Sequence, residues 1–119
     1  MPGERDQRVC RVRPDLTAVA REFDYEVPDA VGDLVRVGTL VRVPLHGRRV
    51  RGWVVADGVA PDPDAGRLPP IAKVVGAGPP ADVLDLARWT AHRWAGSEVA
   101  VFRAATAPNA RARSRTNWY

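Results

Sequence analysis

The stretch Leu40-Val41-Arg42-Val43-Pro44, followed by Arg49-Val50-Arg51-Gly52-Trp53-Val54-Val55-Ala56, decides the fold. It reads as two β-strands joined by Leu45-His46-Gly47-Arg48, a hairpin with glycine at the bend. Five arginines, Arg36, Arg42, Arg48, Arg49 and Arg51, sit on or beside it, with no acid between Arg36 and Arg51. A strand pair apolar enough to pack and basic enough to meet phosphate is a candidate nucleic-acid surface. The plainer alternative is a solvated edge whose charges block pairing with other chains.

Working outward, the segments before the hairpin are also β-like. Arg8-Val9-Cys10-Arg11-Val12-Arg13 alternates loosely and stops at Pro14, which predicts a first strand. Asp15 to Arg21 reads as a loop. Phe23-Asp24-Tyr25-Glu26-Val27-Pro28 alternates strictly, with Phe23, Tyr25 and Val27 on one face and Asp24 and Glu26 on the other. That is the pattern of a half-buried strand ended by proline. Asp29 to Asp33 reads as a turn, and Leu34 to Gly38 as loop or short strand with Gly38 in a turn.

After the hairpin, Asp57 to Pro70 holds four prolines and two glycines and is expected to be a surface loop. Ile71-Ala72-Lys73-Val74-Val75 is expected as the last strand, broken by Gly76-Ala77-Gly78. Pro79-Pro80-Ala81-Asp82 suits a helix start. Val83, Leu84, Ala87, Ala91, Trp94 and Ala95 form its apolar stripe, with Gly96 at the C-terminal cap. Trp89 lies off that stripe and His92 is expected to be exposed. Ser97 and Glu98 open a second helix, with Val99 and Phe102 inward and Pro108 ending it. The fold expected is α+β: a small β-rich sheet or barrel of four to five strands followed by two short C-terminal helices. Residues 1–7 read as a frayed terminus, 8–108 as the domain and 109–119 as a basic tail.

The chain has 119 residues, a net charge of +4 and a pI near 10.2, so an acidic partner is expected. Lys73 is the only lysine, Cys10 the only cysteine, and His46 and His92 the only histidines. No intramolecular disulfide or cysteine-rich zinc site can form, and Cys10 reads as a packed strand residue. No apolar signal region and no run of transmembrane length occur, so a cytoplasmic protein without membrane contact is expected. There is no G-x-x-x-x-G-K-[ST] loop, no G-x-S-x-G elbow and no H-E-x-x-H pair. Asp62 and Asp64 read as solvated loop acids rather than metal ligands. No cofactor, no metal and no catalysis are expected. The residues alone leave nucleic-acid binding open: Arg42, Arg48, Arg49 and Arg51 suit phosphate, while Phe23, Tyr25 and Trp53 each occupy positions where a core ring is the ordinary reading.

A further pattern narrows this. Arg21-Glu22 leads into Phe23-Asp24-Tyr25-x-Val27-Pro28; Gly38-x-x-Val41-Arg42-Val43-Pro44, a basic turn and Gly52-x-Val54-Val55 follow. Ile71-x-x-Val74, Leu86-Ala87-x-Trp89, Gly96 and Ala107-Pro108 come after. This order resembles the N-terminal domain of the PriA replication-restart proteins over roughly residues 8 to 108. The resemblance implies a 3′ DNA-binding domain that captures the 3′ hydroxyl end of the nascent leading strand at an abandoned fork. It implies a terminal-nucleotide pocket carried by Phe23, Asp24, Tyr25 and, at the hairpin turn, Gly47 with His46 beside it. Arg42, Arg48, Arg49, Arg51 and Lys73 are then phosphate contacts. Relatives often carry a lysine near the position of Pro69; Arg67 and Lys73 are the nearest cations here. Fork DNA and other primosome or replication proteins are the implied partners. A protein-docking module built on Trp89 and the helices is the alternative. Full-length relatives continue into a winged helix, a helicase core and a zinc region, none of which lies within these 119 residues, so a truncated product or excised helicase fragment is also expected.

Overall fold

A computed structural model describes residues 7–62, 64, 66–94 and 96–106. Its first strand, β1, is Val9–Pro14, and β2 is Phe23–Glu26. A 3₁₀ segment, Asp29–Leu34, precedes the hairpin strands β3 (Leu40–Leu45) and β4 (Arg48–Ala56). The last strand is β5, Lys73–Gly76. Helix α1 spans Ala81–Arg93, and residues 98–106 form a second helix, α2. Five antiparallel strands and two C-terminal helices make the expected small α+β domain. Residues 1–6, Ala95, Pro108 and the tail 109–119 lie outside the described residues.

The strand order is β2-β1-β4-β3-β5. The sheet curls on itself. Pro69–Ile71 reaches back to β2 through Glu26 N to Pro69 O at 2.9 Å and Ile71 N to Glu26 O at 3.0 Å. Pro69 and Pro70 lack N–H groups, so this segment can accept here but cannot run on as a regular ladder. It then changes partner: Ala72 N donates to Arg42 O, and β5 continues along β3. The last strand therefore begins at Lys73 rather than Ile71, and Gly76 lies inside it rather than breaking it.

Two apolar cores result. The concave face packs Cys10, Val12, Tyr25, Val27, Val41, Val43, Val50 and Val54, with Phe23 at its margin. The convex face packs Leu40, Trp53 and Val55 against Leu84 and Ala87 of α1 and Val99 and Phe102 of α2. That explains β4, which alternates at Val50 and Arg51 and is then buried on both faces from Gly52 to Val55. Trp53 meets Phe102 edge-to-face, and its indole N–H donates to Thr106 Oγ1 at 2.8 Å. At Gly52 the backbone of β1 comes so close that a Cβ would stand 2.8 Å from Arg13 O.

The hairpin turn is tighter than expected. Leu45 and Arg48 belong to the strands, leaving His46 and Gly47 alone at the bend, with φ of +52° and +78°. Positive φ at both positions is the requirement of a type I′ turn, whose twist matches the flanking strands. The stripe of α1 is also narrower than expected. Leu84, Ala87 and Ala91 are buried, while Val83 and Trp94 are exposed. Trp94 occupies the C-cap, where the helical path ends and its periodicity no longer applies. Gly96 stands two residues further on, donating to Ala91 O at 2.9 Å.

Candidate nucleic-acid interface

The curl brings β2 to the hairpin tip. Tyr25 lies in the concave core, 2 % exposed, and its hydroxyl donates to Pro44 O at 2.8 Å. Burial raises its phenol pKa. Phe23, on the same face but half-buried, meets the His46 ring edge-on at 6.5 Å. The Arg21 guanidinium stands 4.8 Å from the Phe23 centroid. Phe23, Arg21, His46 and Gly47 thus share one rim of the curled sheet, with Tyr25 beneath it. A Cβ at Gly47 would touch nothing within 4 Å, so the turn is open to solvent.

Asp24 faces the other way, as period-two alternation requires. It is paired across the strands with Arg11, whose Nε donates to Oδ1 at 2.9 Å and whose Nη2 donates to Oδ2 at 3.4 Å. That hydrogen bond, with the charge of Asp24, raises the Arg11 pKa. The outer edge of β2 carries the backbone groups of Glu26 that bond Pro69 and Ile71. By the same alternation, Asp24 N–H and C=O point to that edge, where no backbone partner meets them among the described residues. The motif therefore offers an aromatic rim on one side and a free strand edge with a carboxylate on the other.

The cations form a line. Lys73 on β5 pairs in register with Arg42 on β3, and Arg42 with Arg51 on β4. All three are exposed on the convex face, beyond the part covered by helices. Arg49 lies two residues along from Arg51, beside Pro44, and Arg48 starts β4. Like charges directly opposite on adjacent strands repel. Arg51 is relieved by Asp15 at 3.0 Å, which also receives Arg103 of α2. Arg42, Arg48, Arg49 and Lys73 join no ion pair among the described residues. Fixed, uncompensated cations on a rigid sheet are the arrangement a polyanion would stabilise.

Residues 11–107 match the family of the PriA 3′ DNA-binding domain, described as 3′DNA-binding domain (3′BD). The chain belongs to the PriA 3′ DNA-binding domain family. It is a DNA-binding module, and the matched domain is one for binding rather than catalysis. No curated protein matches the chain.

The free cations of the hairpin lie within the matched residues. Arg11 and Arg21 were not singled out by sequence reasoning. The alternation of the first strand places Arg11 on the polar face, but only the strand pairing puts it opposite Asp24. Cys10 is fully buried, and burial pushes its thiol up to about 12, so it is no nucleophile at neutral pH. Among the described residues no three His, Cys, Asp or Glu side chains cluster as metal ligands, and no helix is long and apolar enough to cross a membrane.

Proposed function

We propose that this domain holds the 3′-hydroxyl end of a DNA strand at a replication fork, in the service of replication restart. The observation that carries the reading is the meeting of Phe23 with the His46–Gly47 turn, which joins the Phe-Asp-Tyr motif to the basic hairpin. The terminal base lies at the outer edge of β2. There Asp24 N–H and C=O supply one donor and one acceptor, and the carboxylate accepts from the 3′ hydroxyl or a base amino group. Arg11 fixes that carboxylate and offsets its charge, so the approaching phosphate chain is not repelled. Phe23 and Gly47 wall the pocket, and Tyr25 holds the wall in place from below. Arg42, Arg48, Arg49, Arg51 and Lys73 carry the phosphates behind the end.

A free hydroxyl is present only at a terminus, so an acceptor fitted to it distinguishes an end from the middle of a strand. A 3′ phosphate is larger and replaces the hydroxyl donor with acceptor oxygens, so the Asp24 carboxylate loses its hydrogen bond there. The domain acts in the cytoplasm, with fork DNA as ligand and other primosome proteins as neighbours. Competition between fork DNA ending in 3′-OH and in 3′-phosphate tests this. The intact chain should prefer the hydroxyl end by about 1.5–3 kcal/mol, the usual worth of a hydrogen bond to a charged group. Asp24→Ala should abolish that preference and leave internal duplex binding unchanged. Equal loss on all substrates would remove Asp24 from the end-reading role.

A further inference from the structure

Helix α1 has a second face that its own domain does not use. Leu84, Ala87 and Ala91 cover the convex sheet, yet Leu86 and Trp89 are 61 % and 59 % exposed. At 100° per residue, Asp82, Leu86, Trp89 and Arg93 fall within about 60° of arc on the opposite side. Their spacing of four, three and four residues is that of a heptad seam. The seam is apolar at its centre, acidic at its N-terminal end and basic at its C-terminal end.

We propose that this face pairs with the same face of a second copy of the chain, the two α1 helices lying antiparallel about a two-fold axis. Antiparallel superposition sets Leu86 of each copy against Trp89 of the other and Asp82 against Arg93. The flanking positions agree: Asp85 comes opposite His92, and Val83 opposite Thr90. Every charged group on the seam then meets its opposite, and both large apolar side chains leave water together. A parallel pairing would instead stack Asp82 on Asp82 and Arg93 on Arg93, so charge selects the antiparallel arrangement. Charge complementarity also favours a second copy over an unrelated partner, because the pattern is its own complement, as an isologous interface demands. The helix has 13 residues and is about 20 Å long, so the buried area is below that of a standard interface. The association is weak, on the order of 100 μM.

Sedimentation of the purified 119-residue chain between about 10 μM and 1 mM should show a reversible monomer–dimer equilibrium. Trp89→Asp should weaken it at least about tenfold with an unchanged melting temperature, since Trp89 is exposed. The sharper test mixes two variants. D82R places two cations on the seam and R93D two acids, so each alone should remain monomeric. An equimolar mixture should form a heterodimer, with both charge pairs restored. A chain monomeric at 1 mM, self-association indifferent to Trp89→Asp, or a D82R and R93D mixture no more associated than either variant alone would each overturn the proposal.

Discussion

The Tyr25 hydroxyl donates to the carbonyl of Pro44 at 2.8 Å, across the concave core rather than between neighbouring strands. Strands β2 and β3 are separated by two others in the sheet order, so this bond measures how far the sheet has curled. It also fixes the backbone just before the His46–Gly47 turn, where the rim meets Phe23. Tyr25→Phe keeps the ring and removes only that bond. Stability should fall by about 1 kcal/mol, with the Pro44 carbonyl left unsatisfied. Thermal denaturation checks that loss. In the same variant the preference for a 3′-hydroxyl end should diminish while affinity for internal DNA is retained.

The line Lys73–Arg42–Arg51 makes an opposite pairing of effects. Arg42 faces a cation on each side. Arg42→Gln should therefore raise stability by about 0.2–1 kcal/mol, chiefly because the repulsion from the unpaired Lys73 is relieved. It should also weaken DNA binding on every substrate and lower the magnitude of the salt slope by about one. Arg51 differs because Asp15 already neutralises it. Arg51→Gln should lose less binding and gain no stability. Melting curves and titrations over a salt series, run on both variants, separate the two roles.

Much of this was legible in the residues. The alternation of Phe23 to Val27 places Tyr25 inside and Asp24 outside, and the valines around Gly47 fix the hairpin. The site was less legible. No local pattern indicates that Asp24 bonds Arg11, because that depends on the register of two strands 13 residues apart. Nor does any local pattern show Phe23 beside His46, since that contact is made by the curl. Ile71 read as a strand residue on its apolarity, but the two prolines before it direct its N–H to β2 instead of β3. Trp94 read as core on helical spacing, and the helix ends beneath it.

Arg8 clamps three segments at once. It donates to Asp57 at 2.6 and 3.0 Å, to Gly32 O at 2.7 Å and to Val35 O at 2.7 Å. Its bond to Asp57 holds that carboxyl below the ordinary range, against the effect of desolvation. A depressed carboxyl pKa means the unfolded chain binds the proton first as the pH drops. The stabilisation is then complete above the ordinary aspartate pKa of about 3.9 and is lost as the pH falls from there toward the folded value. Asp57→Asn should cost about 1 kcal/mol at neutral pH, after allowance for solvent screening. Its stability should also decline less steeply than the native chain's as the pH falls below about 4, as urea denaturation at each pH would record.

Arg13 of β1 and Glu98 of α2 face each other at 3.4 Å, and Arg13 is only 11 % exposed. The pair is poorly satisfied: Arg13 Nε and Glu98 Oε1 have no hydrogen-bond partner among the described residues. A half-buried ion pair with poor geometry recovers little of its desolvation cost, whereas removing one member strands the other. Glu98→Ala should therefore destabilise by about 1–3 kcal/mol, while Arg13→Met combined with Glu98→Leu should match or exceed native stability. The chain of charges continues from Glu98 to Arg88 Nε at 3.5 Å, and Arg88 Nη2 donates to Glu22 at 2.8 Å, one residue before Phe23. Arg88 thus ties α1 to the start of β2. Arg88→Ala should release that tie and reduce end discrimination, yet the Arg13→Met, Glu98→Leu variant, which keeps the Arg88–Glu22 bond, should discriminate as the native chain does. Both are measured by the same 3′-OH against 3′-phosphate competition, and an equal loss in the two would show that the Arg88–Glu22 bond does not carry the effect.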